Sequence, residues 1–167
     1  MASKRAIDKT SAPTAEGRWN DAFSRRPGET KYWLVKSEPT VFSFDDLMRL
    51  PGKRTHWDGV RNPVARNFLR DGMKVGDQVF FYHSSTKPQA IMGVCEVVRE
   101  GYPEKDEPTW YMVDLRAVAP LATPVMLPAM RARKELAGMT LLKLSRLSVS
   151  PVTRQEWETI LRMASGG

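Results

Sequence analysis

From Lys31 onward the apolar residues of this chain fall in short aromatic and β-branched runs, each closed by a turn or by the start of a helix. Such runs bury themselves by lying side by side, so they commit the chain to a sheet. Tyr32-Trp33-Leu34-Val35 ends at Ser37-Glu38-Pro39, and Gln78-Val79-Phe80-Phe81-Tyr82-His83 follows the turn Val75-Gly76-Asp77. Ala90 to Val98 is a further strand, interrupted by Gly93, where a bulge or a close approach is expected. Trp110 to Val118 alternates polar and apolar positions, and Leu147-Ser148-Val149 supplies another short strand.

The helices between these runs announce themselves through their caps. Ser43 followed by Asp46 is a capping-box start for a helix stopped by Pro51-Gly52. Asn62-Pro63 is an N-cap and first-turn pair for a second helix, ending near Arg70. Pro128 to Leu136 reads as a third, and Thr153 with Glu156 opens a last amphipathic helix carrying Trp157, Ile160 and Leu161 on one face. Strands and helices do not alternate as βαβ units. The pattern predicts an α+β fold: a small curled sheet with flanking short helices.

At 167 residues, 41% apolar and 27% charged, the chain holds one ordinary domain and a tail. No window reaches the roughly 18 apolar residues of a membrane span. Cys95 is the only cysteine, which excludes a disulfide framework. With His56 and His83 it exhausts the soft ligands, too few for a structural zinc site. No glycine-rich phosphate loop is present, nor a Gly-x-Ser-x-Gly or Cys/His nucleophile signature. Cys95 lies mid-strand, where a buried inert thiol is expected. The reading is a protein without cofactor, metal or catalytic residue.

The charge balance is basic, with 26 Lys and Arg against 19 Asp and Glu, a formal net charge of +7. That favours a polyanionic partner without identifying one. Residues 1–30 set Lys4, Arg5, Lys9, Arg18, Arg25 and Arg26 against Asp8, Glu16, Asp21 and Glu29. Lacking an apolar period, they are predicted to be a disordered basic tail ahead of a domain spanning 31–164. They contain no secretory apolar core, and four acids argue against a transit peptide. A soluble monomer is expected, cytoplasmic or, in a eukaryote, nuclear.

Three polar-aromatic clusters are candidates for chemistry: Trp33 to Pro39, His56 to Asn62, and Phe81 to Ser84. Each falls at a strand end or a helix start, where side chains and free N–H groups converge on ligands. Arg61 and Arg66, near a helix N-terminus, are suited to phosphate. Each cluster also has a purely structural reading, with Trp33 and Phe81 as core, Asp58 and Asn62 as turn and cap, and the arginines solvated. His56-x-Asp58 followed by His83 has the ligand order of a two-His-one-carboxylate iron site. The helices between them fit such an oxygenase barrel poorly.

The run Tyr32-Trp33-Leu34-Val35-Lys36-Ser37-Glu38-Pro39 resembles the opening signature of the EVE domain family. Trp57-Asp58-Gly59-Val60-Arg61-Asn62, Ala65-Arg66-Asn67-Phe68-Leu69, Val75-Gly76-Asp77, Phe81-Tyr82-His83-Ser84, Arg146-Leu147-Ser148-Val149 and Glu156-Trp157 match it in order. Pro63 and the stretch Lys87 to Met92 depart from the family pattern. The resemblance implies a PUA-like small β-barrel with a cleft for a modified base, 5-modified cytosine in DNA being the best-known ligand class.

By that resemblance Trp33, Trp57 and Tyr82 belong to the base pocket, with Ser37, Glu38, Asn62, His83 and Ser84 reading base edges. Lys36, Arg61, Arg66 and Arg146 contact phosphate or sugar. Flipping the base, or taking it from a single strand, lets stacking and edge hydrogen bonds act together. A reader of modified tRNA or rRNA fits the same residues, as does a protein or small-molecule sensor on a PUA-like shell.

Overall fold

The computed structural model describes residues 15–166. Two short helical turns, α1 (Ala15–Arg18) and α2 (Asn20–Phe23), precede strand β1 (Tyr32–Ser37). Then come α3 (Phe44–Arg49), β2 (Arg54–Trp57), α4 (Pro63–Asn67), β3 (Gln78–His83), β4 (Ala90–Pro103) and β5 (Tyr111–Met126). The chain finishes with α5 (Leu127–Arg131), α6 (Thr140–Lys143), β6 (Val149–Val152) and α7 (Arg154–Ala164). The strands form one mixed sheet, β2-β5-β4-β3-β1-β6, in which only β1 and β3 run parallel. The α+β architecture with short flanking helices is the expected one. Its edge strands β2 and β6 do not pair with each other, so the sheet is open.

The central strands read as nearly continuous apolar runs because both of their faces are covered. On one face lie Trp33, Val35, Val79 and Phe81, packed with Phe44, Leu47, Trp57 and Phe68. On the other lie Leu34, Phe80 and Tyr82, packed with Trp157 and Ile160 of α7. Phe80 stacks on Trp157 with ring centroids 3.7 Å apart. The helix starts follow their local signals. Ser43 and Asp46 form a reciprocal capping box on α3, Thr153 and Glu156 another on α7, and Asn62 Oδ1 accepts the Val64 and Ala65 N–H groups of α4. Gly93 answers to a close approach: a Cβ there would lie 2.3 Å from the Phe44 ring, and the β4–β5 ladder shifts register beside it.

Three expectations are corrected. The small β-barrel that the resemblance implied is not closed, because edge strands β2 and β6 do not pair with each other. The helix predicted over Pro128 to Leu136 is split into α5 and a 3₁₀ turn at Lys134–Leu136. Residues 19–30, expected to belong to a disordered tail, form a strap docked on the domain. Trp19 meets Phe68 edge-on at 5.1 Å and Phe23 stacks on it at 5.6 Å. Arg25 reaches the buried Asp77 carboxylate through two hydrogen bonds of 2.8 Å. Isolated aromatics in a polar stretch give no period, yet two rings on one core phenylalanine and one buried ion pair suffice to order it. Residues 1–14 of the predicted tail lie outside the described residues.

Candidate functional site

A cleft of about 440 Å³ opens where the C-terminal end of β1 meets edge strand β2. Lys36, Ser37 and Glu38 form one wall, Val41 and Phe42 the next, Thr55 to Arg61 the third, and Ser148 closes it. Strand β2 pairs with β5 as far as Trp57 opposite Val113, and the chain then turns at Gly59, whose φ of +79° suits glycine. Trp57 is only 8% exposed, packed against Phe81 at 5.5 Å and Phe42 at 6.3 Å. Its indole N–H has no hydrogen-bond partner among the described residues. A donor on a rigid aromatic in a cleft wall is suited to holding a planar ligand.

The structure brings together Ser37, Glu38, Trp57, Lys36 and Arg61 of the predicted residues. Ser37 Oγ donates to the Phe42 carbonyl at 2.5 Å, which fixes the turn and leaves the oxygen lone pairs as acceptors. The exposed Glu38 carboxylate accepts from Ser85 Oγ at 3.3 Å. Lys36 Nζ donates to the Ser145 carbonyl at 2.6 Å, and burial holds its pKa below the ordinary lysine value.

Other expected pocket residues are elsewhere. Trp33 is fully buried at the opposite end of β1, its indole N–H donating to Asp77 Oδ2 at 2.9 Å and its ring lying over Gly72. Tyr82 points to the α7 face because strand residues alternate, and its hydroxyl donates to Gln89. The Asn62 amide oxygen is consumed as the α4 cap. His83 Nε2 accepts the Phe44 N–H at 3.1 Å at the start of α3, on the same face of the sheet; burial lowers its pKa against the opposing pull of Asp45 and Asp46. Ser84 gives its backbone N–H to the Ser37 carbonyl. Arg66 binds Asn67 Oδ1 and the Thr109 carbonyl outside the cleft, and Arg146 is exposed.

Sequence reasoning missed Val41, Phe42, Thr55 and Ser148 of the lining, and the β4–β5 loop beside it. That loop is closed by backbone bonds from Glu104 N–H to the Trp110 carbonyl and from Trp110 N–H to the Glu107 carbonyl. Glu104 accepts from Gly59 N–H and from both terminal nitrogens of Arg61. The acid-rich Glu104-Lys105-Asp106-Glu107 was the available signal for it.

His56 and Asp58 do line the cleft, 3.9 Å apart, but His83 does not join them. Among the described residues no group of three His, Cys, Asp or Glu side chains is placed to hold a metal. Cys95 is buried, which pushes its thiol pKa up. A second cavity of about 680 Å³ lies between the strap and the start of α7. Several of its charged groups are already engaged, Lys31 with Glu29 and the Asp21 carbonyl, and Glu156 with the Thr153 N–H. No helix among the described residues is long and apolar enough to cross a membrane.

The model of the EVE domain family matches residues 31–163, which hold the whole open mixed sheet. The chain belongs to the EVE domain family. Mouse thymocyte nuclear protein 1 is 37% identical over 167 aligned positions, covering 80% of this chain and 74% of the mouse protein. A hypothetical protein from Leishmania major superposes with a TM-score of 0.78 at 42% identity, over 84% of this chain and 98% of that one. Human THYN1, solved in complex with DNA containing 5-methylcytosine, superposes with a TM-score of 0.76 at 34% identity, over 81% and 98%.

Proposed function

We propose that this protein binds DNA and reads a modified base, 5-modified cytosine being the first ligand to test, without breaking any bond. The observation that carries the reading is Trp57, a packed aromatic lining the cleft whose indole N–H has no partner among the described residues. The complex described for human THYN1 supports the ligand class. The base leaves its stack and enters the cleft against Trp57, while Ser37, Glu38 and the Asp58–Gly59 backbone meet its edge. The exposed Arg146 and the half-buried Arg66 serve phosphates nearby. Nothing in this reading needs a nucleophile or a metal.

The test is a panel of otherwise identical DNA and RNA oligonucleotides, plain and base-modified, measured by fluorescence anisotropy with the full chain. Modified DNA should bind most tightly, and every affinity should fall with salt. A preference for the ribose series would reassign the protein to RNA. Absence of binding at low salt would overturn the reading.

A further inference from the structure

Arg61 stands at the cleft mouth, where a backbone phosphate would arrive, yet its guanidinium is already occupied. One terminal nitrogen donates to the Val60 carbonyl and to Glu104 Oε2; the other donates to Glu104 Oε1 at 2.8 Å and to Glu107 Oε1 at 2.9 Å. The group also lies over the Trp110 ring, its carbon 5.2 Å from the centroid. The two carboxylates differ. Glu104 is 13% exposed and also accepts the Gly59 N–H, so it ties Arg61 to the turn that follows Trp57. Glu107 is 61% exposed and is held to Arg61 by a single bond. Two carboxylates therefore share the one guanidinium of Arg61.

We infer that Glu107 is a displaceable phosphate mimic: a nucleic-acid phosphate takes its place on Arg61, while Glu104 stays and positions the arginine. The inference rests on the nucleic-acid reading above. An anion arriving at Arg61 breaks one exposed contact and keeps the two-pronged one, so Arg61 and the Gly59 turn stay in place. The exchange happens outside the base-reading walls. It therefore sets how tightly any strand binds and leaves the choice among bases alone.

The test is a set of full-chain variants titrated with one 5-methylcytosine duplex and its unmodified twin. Glu107→Gln should tighten both by about two- to fivefold at low salt, the range of an exposed ion pair, with their ratio unchanged. Asp106→Asn, which removes an exposed acid of the same loop, measures the effect of net charge alone. In an Arg61→Ala background Glu107→Gln should give no more than that net-charge gain. Equal gains from Glu107→Gln and Asp106→Asn in the parent, or an excess gain that persists without Arg61, overturn the inference. If neither parent nor variant binds any oligonucleotide, the nucleic-acid reading fails, and inorganic pyrophosphate followed at the Trp110 indole resonance decides the exchange separately. Saturation of Glu107→Gln at lower pyrophosphate than the parent then supports displacement, and identical curves overturn it.

Discussion

At the N-terminal end of β1, Trp33 is enclosed with its indole N–H bonded to Asp77; beyond the C-terminal end, Trp57 lines a cleft with that same group lacking a partner among the described residues. Both are packed tryptophans on the same face of the sheet. What separates them is whether the chain supplies an acceptor. Asp77, 1% exposed, accepts from Arg25 twice, from the Lys31 and Lys74 N–H groups, and from Trp33. Among the described residues no such acceptor takes the Trp57 indole N–H. One end of the strand is finished internally; in the function proposed above, a ligand finishes the other.

The largest expected effect comes from unmaking the finished end. Asp77→Ala strands a buried indole N–H and a half-buried guanidinium, which should cost about 3–5 kcal/mol in urea unfolding. Oligonucleotide affinity per folded molecule should stay unchanged, and a large affinity loss would join the two ends functionally. Deleting residues 1–27 removes Trp19, Phe23 and Arg25 together. It should lower stability by about 2–4 kcal/mol, most of it reproduced by Arg25→Ala combined with Phe23→Ala. A deletion without effect on the unfolding midpoint would mean that the strap is a passive lodger.

Breaking the open end should do the reverse. Trp57→Phe keeps a ring against Phe81 and removes the free donor, so unfolding should move little while affinity for modified DNA falls by about 1 kcal/mol. Unaltered binding would make the tryptophan a packing residue like Trp33. The smallest effect is at His83, whose neutral Nε2 caps α3. Burial sets its folded pKa below the ordinary 6.5, so the unfolded chain takes up the proton first. Its contribution is whole above that value and is lost as pH falls through the folded pKa. The acidic decline in stability should be smaller in His83→Gln, which offers a non-titrating acceptor to Phe44.

Features decided within a few residues were legible in the sequence. The capping boxes at Ser43 and Thr153, the Asn62-Pro63 start and the apolar runs of β1 and β3 all fall where local chemistry puts them. Edge strand β2 was not, because Arg54-Thr55-His56-Trp57 is a strand only by virtue of its pairing with β5. The strap was not, because Trp19 and Phe23 acquire meaning only against Phe68. Of the pocket residues implied by the resemblance, Trp57 and Ser37 line the cleft, whereas Trp33 and Tyr82 lie away from it. Their fates depend on Asp77 and on which side of the sheet α7 covers, neither of which is written next to them.

Gly93 and Phe44 carry a consequence for how this domain can diverge. With the phenylalanine ring occupying the place of a Cβ, any larger residue at 93 demands a smaller one at 44, and a truncated ring at 44 leaves a void that alanine at 93 would partly fill. The two positions form one locus rather than two. Over evolutionary time they should change as a pair. In the laboratory, Gly93→Ala should be poorly tolerated alone and partly rescued by Phe44→Leu.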